Sequence, residues 1–183
     1  MEREREVQEW LRQRGAETIE HPGGTLYAHL RRVHDRLGTL GLGTDPQLAG
    51  LTHAAYGTDG FDVVLVDRAD RSVLRDLIGE DAEVIVYLYG ACDRRRTWPW
   101  LADTGEVCNR FTGEVETPDA ARLRTFVDLT VANELDIVEQ DRALAEKYGA
   151  YFRTLFTAWA PIASPQTIDD VHRIIGTRDS RPG

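Results

Sequence analysis

One uncharged segment near the middle of the chain most limits how this protein can fold. Between Asp45 and Asp59 there is no Asp, Glu, Lys or Arg, yet His53 lies in the middle of the segment. Pro46 suits the first turn of a helix, which we predict to run to Gly57. A helix without charged side chains is usually buried, and a buried imidazole needs a partner. The segment therefore predicts a helix enclosed by other helices, with a hydrogen-bond or metal partner for His53.

The hydrophobic pattern elsewhere predicts a mostly α-helical protein. Apolar residues recur three and four positions apart over 26–40, and Thr25 is a suitable N-cap. Further helices are predicted over 3–14, 68–78, 81–91, from Pro118 to about Lys147, over 148–160 and from Ser164 to Gly176. Residues 16–25 read as a loop, residues 63–66 as a strand or an extended link, and Thr112-Gly113 as the turn of one small β-hairpin. We expect a single helical domain over residues 1–183, with a frayed tail at about 177–183.

Composition narrows the partners that such a domain can have. The net charge of −9 argues against nucleic acid, because phosphate binding needs a basic surface. The longest apolar run, 84–92, is too short to span a bilayer, and the charged N-terminus does not resemble a secretory signal. Cys92 and Cys108 form no metal-binding pair or disulfide framework, which favours a reducing, cytoplasmic setting. We therefore expect a small organic molecule as the partner. The sequence does not decide whether the protein is a monomer or a homodimer.

The helix predicted from Pro118 carries the polar residues that are hardest to explain. On a helical wheel, Glu134 falls near the centre of an apolar stripe, Asn133 falls at its edge, and Asp136 points the other way. A carboxylate on an apolar stripe is either a member of a buried ion pair or a functional group. His29 falls at the edge of the apolar face of its own helix. We predict that His29, Asn133 and Glu134 lie near His53.

Three further residues are candidates for the same site. Tyr56, one predicted helical turn after His53, could donate a proton, although an aromatic ring there could simply fill the core. His21, in the loop segment HPGGT, could close the site, and Arg110 could bind an anionic group of a substrate. The sequence contains no phosphate-binding loop, dinucleotide fingerprint, nucleophile elbow or HExxH motif.

Three segments together carry a resemblance to a known family. HPGGTLYAHLRRVHDRL, LAGLTHAAYGT and VANELD resemble an uncharacterised family of small proteins related to the histidine–aspartate (HD) metal-dependent hydrolase fold, over roughly residues 20–140. The resemblance implies an HD-like α-helical bundle. It also implies a site in which a first histidine, an adjacent His-Asp pair and a distant aspartate bind one or two metal ions. Most HD proteins are phosphohydrolases, and some relatives are di-iron oxygenases.

The metal ligands implied by the resemblance are incomplete in this sequence. His29 matches the first histidine and His53 the histidine of the pair, but the adjacent aspartate is Ala54 and the distant aspartate is Asn133. Mg²⁺ and Mn²⁺ depend on carboxylate oxygen, so two imidazoles and an amide suit them poorly. Glu134 could substitute as a ligand for a single zinc or iron ion held with His29 and His53. The resemblance therefore favours an HD-like pocket without its usual metal, and without a cofactor.

Three functions remain open at this point. The first is a biosynthetic enzyme of the lyase, isomerase or cyclase type, in which His53 and His29 exchange protons with a small molecule. In it Tyr56 and Asn133 hold a substrate oxygen and Glu134 sets the charge of an imidazole. The second is a metal-dependent HD-type hydrolase or oxygenase with a rearranged ligand set. The third is a protein that binds a small ligand without turning it over.

Overall fold

The computed structural model describes residues 2–176, and it is mostly α-helical as predicted. The predicted frayed tail at about 177–183 lies outside the described residues. In chain order the helices are α1 (Glu2–Gln13), α2 (Leu26–Thr39), α3 (Thr44–Thr52), α4 (Arg71–Ile78), α5 (Glu80–Ala91), α6 (Arg94–Thr97), α7 (Leu101–Thr104), α8 (Ala120–Gln140), α9 (Arg142–Ala158) and α10 (Pro165–Ile175), with a 3₁₀ turn at Ala160–Ile162 between the last two.

Two small antiparallel hairpins accompany the helices. The strands are β1 (Glu20–His21), β2 (Gly24–Thr25), β3 (Val107–Cys108) and β4 (Val115–Glu116). The β3–β4 hairpin confirms the prediction of one near Thr112-Gly113, where Gly113 has a φ of 79° that favours glycine. The β1–β2 hairpin lies in a segment predicted as loop, because its strands are two residues long and give no periodic signal.

Helix α8 lies at the centre of the protein. It packs against α2, α3, α5, α9 and α10, and every residue from 126 to 136 is buried. Such a helix presents no solvent face along its middle, so polar residues on any side of it must find partners inside the protein. Four polar residues of this stretch belong to hydrogen-bond networks, namely Asp128, Asn133, Glu134 and Asp136.

Two predicted helix ends are wrong by five residues or more. Helix α3 ends at Thr52 and not at Gly57, and residues 53–56 form turns. The helix predicted to end at about Lys147 breaks at Asp141, whose side chain accepts a hydrogen bond from the backbone N–H of Leu144 and caps α9. Residues 63–66 form no strand, and the segment bends at Leu65 and Val66, whose N–H groups both bond to the carbonyl of Ala55 in the α3 exit turn.

The close approach of α2 and α3 depends on a glycine. A Cβ atom added at Gly50 would come within 2.5 Å of Cδ1 of Leu37, which is fully buried on α2. Only a residue without a side chain lets the two helices pack at this separation. The contact also fixes the end of α3, and with it the position of His53, against α2.

Candidate functional site

His29 on α2 and His53 at the C-cap of α3 meet at the contact between these helices. We call these two residues the histidine pair. Their Nε2 atoms are 3.3 Å apart, and their rings are nearly perpendicular at 81°. Their exposed fractions are only 1% and 2%. The two histidines that were predicted to share a site therefore lie in contact inside the protein.

The second ring nitrogen of each histidine faces a hydrogen-bond acceptor. Nδ1 of His29 lies 2.6 Å from Oδ2 of Asp136, and Nδ1 of His53 lies 2.8 Å from the backbone oxygen of Gly50. Each Nδ1 must therefore carry a proton. Nε2 of His53 is then free to accept a proton or a hydrogen bond, provided that its ring is neutral. Burial, and next the charge of His29, lower the pKa of His53 to about 3, so its ring is neutral at physiological pH.

Asn133 on α8 determines the protonation of His29. Its Nδ2 donates to Oε1 of Glu134 over 2.9 Å, which fixes the orientation of the amide. Its Oδ1 then lies 2.9 Å from Nε2 of His29. An amide oxygen can only accept, so Nε2 of His29 must donate, and His29 carries protons on both nitrogens. The pair thus consists of a cationic imidazolium and a neutral imidazole with a free lone pair.

Two ion pairs flank the histidine pair, and in each of them a guanidinium group neutralises a carboxylate. Asp136 accepts two hydrogen bonds from Arg32, at 2.7 and 3.0 Å, besides the one from His29. Burial alone would raise the pKa of Asp136, but the hydrogen bonds from His29 and Arg32 outweigh burial and lower it. On the other side, Arg94 donates to Glu134 over 3.0 Å. With two carboxylates and two guanidinium groups, the surroundings of the pair carry no net charge.

Tyr89 on α5 completes the wall around His53. Its ring packs edge-on against the imidazole of His53, with the centroids 5.2 Å apart, and its hydroxyl oxygen accepts a hydrogen bond from Arg94 over 2.9 Å. Tyr89 is 3% exposed. It shields His53 from solvent and holds Arg94 beside Glu134.

His21 covers the pair from the β1–β2 hairpin. Its ring stacks on the ring of His29 at a centroid distance of 4.0 Å, and the ring of Phe61 packs edge-on against it at 5.3 Å. Burial, and next the charge of His29, lower the pKa of His21 to about 4. Gly23 shapes the turn with a φ of 79°, and a Cβ atom there would overlap the side chain of Gln140. The residue predicted to close the site therefore does lie over it.

Tyr56 and Arg110 lie apart from the histidine pair. Residues 53–56 form a turn, which sends the hydroxyl of Tyr56 to Glu83, 2.7 Å away. Glu83 is fully buried and also accepts two hydrogen bonds from Arg71. Arg110 donates to the backbone of Gly90, on the β3–β4 side of the protein. Tyr56 was expected beside His53 because the helix was predicted to continue, and it instead belongs to a separate buried network.

Glu134 lies near the pair, but it does not act on an imidazole directly. Its hydrogen bonds go to Asn133 and Arg94, and the carboxylate bonded to an imidazole of the histidine pair is that of Asp136. The expectation that Asp136 points away from the site is wrong, because α8 is buried on all sides. The sequence spacing of Asn133 and Asp136 could have predicted the position of Asp136. Residues three apart on a helix lie side by side, so a site that includes Asn133 also brings in Asp136.

The side chains around the histidine pair supply only some of the ligands that a bound metal ion needs. Across the described residues, no three His, Cys, Asp or Glu side chains lie together in a way that could hold a metal ion. If Nε2 of His29 gives up its proton, the histidine pair and Oδ1 of Asn133 offer three neutral donors. The two nearby carboxylates are already bound to Arg32 and Arg94.

Comparison with known proteins gives one family match. Residues 10–94 match the family model described as "Domain of unknown function (DUF6817)". The matched stretch contains the histidine pair and Arg94, and it ends before α8, which carries Asn133, Glu134 and Asp136. No curated protein and no solved structure matches the chain. Within residues 2–176, no helix is long and apolar enough to cross a membrane.

Proposed function

We propose that this protein is an enzyme that transfers protons to and from a small, uncharged organic molecule by means of the histidine pair. The observation that carries the proposal is the 3.3 Å contact between Nε2 of His29 and Nε2 of His53. One of these atoms bears a proton and the other a lone pair. A general acid and a general base are thus available side by side.

The surrounding residues support each role. Asp136 stabilises the imidazolium of His29 and orients its ring, while the carbonyl of Gly50 holds His53 in the tautomer that accepts a proton at Nε2. Asn133 can exchange its hydrogen bond with His29 for one with a substrate oxygen. Dehydration, isomerisation, elimination and addition-type cyclisation all need one proton removed and another delivered, which this pair can do without a cofactor.

The mechanism requires that the substrate can reach the buried imidazoles of the histidine pair. With exposed fractions of 1% and 2%, neither imidazole can meet a substrate while the site is closed. His21 is the residue stacked on His29, and it sits on the two-stranded β1–β2 hairpin. The hairpin moves aside to admit the substrate, and its return excludes water from the site.

Solvent-proton exchange in a mixture of small metabolites tests the proposal. The protein is incubated in D₂O with a cell extract of such metabolites, and mass spectrometry follows compounds that gain deuterium or change into another compound. We expect such a change with the wild type and with His172→Gln, which alters an exposed histidine on α10. The change should disappear with His53→Gln and with His29→Gln. Turnover that survives both substitutions, or ligand retention with no turnover at all, would overturn the proposal; the second result would point to a binding protein.

A metal-dependent enzyme is the second candidate, and the same distance favours it. Two ligand nitrogens of a tetrahedral zinc ion with bonds of about 2.0–2.1 Å lie roughly 3.3 Å apart. The acceptors on the other ring nitrogens match the hydrogen bonds that orient metal-binding histidines. His29 and His53 would hold the ion with Oδ1 of Asn133, and the ion would supply an activated water for hydrolysis or a centre for oxygen chemistry.

The charges around the pair weigh against the second candidate. A divalent ion would leave two uncompensated positive charges in a buried site, because Asp136 and Glu134 are already neutralised by arginines. A proton adds only one.

Elemental analysis of the purified protein decides between the two candidates, with His53→Ala as the control. Near-stoichiometric zinc, iron or manganese that is lost in the variant would favour the metal-dependent enzyme.

A further inference from the structure

A small cavity lies on the far side of Asn133 and Tyr89 from the histidine pair. It is bounded by α6, α8 and α9 and encloses about 250 Å³. Its walls are apolar and mostly aromatic, with Trp98 and Phe152 inside, Leu144 at the side and Tyr151 at the mouth. Trp98 is 6% exposed and Tyr151 is 47% exposed. The cavity is thus open at one end and closed by the protein core at the other.

The floor of the cavity is the ion pair of Arg94 and Glu134. Glu134 is 5% exposed, and both of its hydrogen bonds use Oε1. Within residues 2–176, Oε2 of Glu134 has no hydrogen-bond partner. Arg94 donates to side chains through one N–H on each terminal nitrogen, out of the five N–H groups of a guanidinium. The floor therefore presents a free acceptor next to unused donors.

We propose that this cavity binds an uncharged aromatic molecule of one or two rings that bears a hydroxyl group. The ring lies among Trp98, Phe152 and Leu144, and the hydroxyl donates to Oε2 of Glu134 while it accepts from Arg94. A hydroxyl is the smallest group that can do both.

Charge and volume determine this choice of ligand. The floor carries one positive and one negative charge, so an anion would meet the carboxylate and a cation the guanidinium, and neither would gain a net attraction. Pockets for drug-sized ligands enclose about 300–1,000 Å³, so this smaller cavity suits a smaller molecule. The aromatic walls offer edge and face contacts with a ring.

The cavity is linked to the histidine pair through Asn133. Glu134 accepts from Nδ2 of Asn133 over 2.9 Å, and Oδ1 of Asn133 lies 2.9 Å from His29. A hydroxyl bound at Glu134 is therefore connected to His29 through one carboxylate and one amide. The binding at this cavity does not rest on the proposed function, because neither histidine lines the cavity.

Binding of 2-naphthol, measured by isothermal titration calorimetry and by quenching of tryptophan fluorescence, tests the inference. Leu144→Trp fills the cavity from its half-buried side, and Leu77→Trp makes the same change at a half-buried leucine of α4. We expect the wild type and Leu77→Trp to bind 2-naphthol alike, and Leu144→Trp to bind it at least about tenfold more weakly. The anion 2-naphthoate should bind the wild type about tenfold more weakly than 2-naphthol.

Two results would overturn the inference, and a second variant guards against misfolding. Equal affinity of Leu144→Trp and the wild type is one such result, and equal affinity for the alcohol and the anion is the other. Should Leu144→Trp fail to fold, Tyr151→Ala removes a wall at the half-exposed mouth and should also weaken binding.

His53→Gln separates the two proposals in the same titration. It should keep its affinity for 2-naphthol, because His53 does not line the cavity. Loss of turnover with binding retained supports both proposals. Turnover that depends on the histidines, without any binding of 2-naphthol, overturns the cavity inference alone. Binding that Leu144→Trp abolishes, without turnover that depends on the histidines, overturns the proposed function alone.

Discussion

Nδ1 of His29 lies 2.6 Å from Oδ2 of Asp136, although 107 positions separate the two residues in the chain. This contact joins α2 to α8 and gives the imidazole a counterion inside the protein. It also assigns the proton at Nδ1, and with Asn133 it assigns the second proton at Nε2. The charge on His29 in turn helps to keep His53 and His21 neutral, because it lowers the pKa of both. The electrostatics of the whole site therefore depend on this one contact.

Stability should fall with decreasing pH because His53 stays neutral in the folded state. The unfolded chain binds a proton at this residue below about pH 6.5, whereas the native pKa is about 3. Protons therefore favour unfolding between these values, with a slope of about 1.4 kcal/mol per pH unit for one such group. We expect His53→Gln to reduce this slope in urea denaturation between pH 6.5 and 4.5. The substitution His172→Gln, at an exposed site, should leave the slope unchanged. An unchanged slope in His53→Gln would contradict the prediction.

Removal of the charge at Asp136 should disturb both stability and the state of His29. Asp136→Asn leaves Arg32 and His29 without their anion, and the loss of one partner of a buried pair costs about 3–5 kcal/mol. The ¹⁵N NMR signals of His29 should also change from those of a doubly protonated ring to those of a neutral one. Denaturation and NMR of histidine-labelled protein measure the two effects.

Tyr56→Phe is the matched control for Asp136→Asn. It removes a buried hydrogen bond to a carboxylate, from Tyr56 to Glu83, at a cost of about 1.5–3 kcal/mol. Because that network does not touch the pair, the signals of His29 should not move. A shift in Tyr56→Phe as large as in Asp136→Asn would disprove the separation of the two networks.

Two helical glycines should respond to alanine in opposite directions. At Gly149 on α9, an added Cβ meets nothing within 4 Å, so Gly149→Ala should stabilise the protein by about 1 kcal/mol through helix propensity. At Gly50 the same atom would lie 2.5 Å from Leu37, and such overpacking costs about 1–3 kcal/mol. Urea midpoints of the two variants test the prediction, which fails if Gly50→Ala is also stabilised.

The sequence predicted the fold class and the meeting of the histidines, because both follow from helical periodicity. The apolar face of α2 and the uncharged segment before His53 had to be buried against each other. The position of Tyr56 could not be predicted in the same way. It depends on where α3 ends, and that end is set by a turn and by the packing of Gly50 against Leu37.

The partner of His29 was missed for a different physical reason. A helical wheel assigns one face to the core and the opposite face to water, which holds for a helix at the surface of a protein. Helix α8 is covered on all sides, so Asp136 is 2% exposed although it points away from the apolar stripe. A single wheel cannot distinguish these cases, because burial of the opposite face depends on helices far away in the sequence.

The amide of Asn133 limits which residues this position can accept. Nδ2 of Asn133 lies 2.9 Å from Oε1 of Glu134. An aspartate there would replace that nitrogen with oxygen and bring two carboxylates into contact, and two carboxylates at this distance cannot both be ionised. An acidic residue at 133 would thus have to share a proton with its neighbour, and would offer a metal ion little more charge than the amide does. Conversion of this site into an anionic metal centre therefore requires substitutions at positions 133 and 134 together.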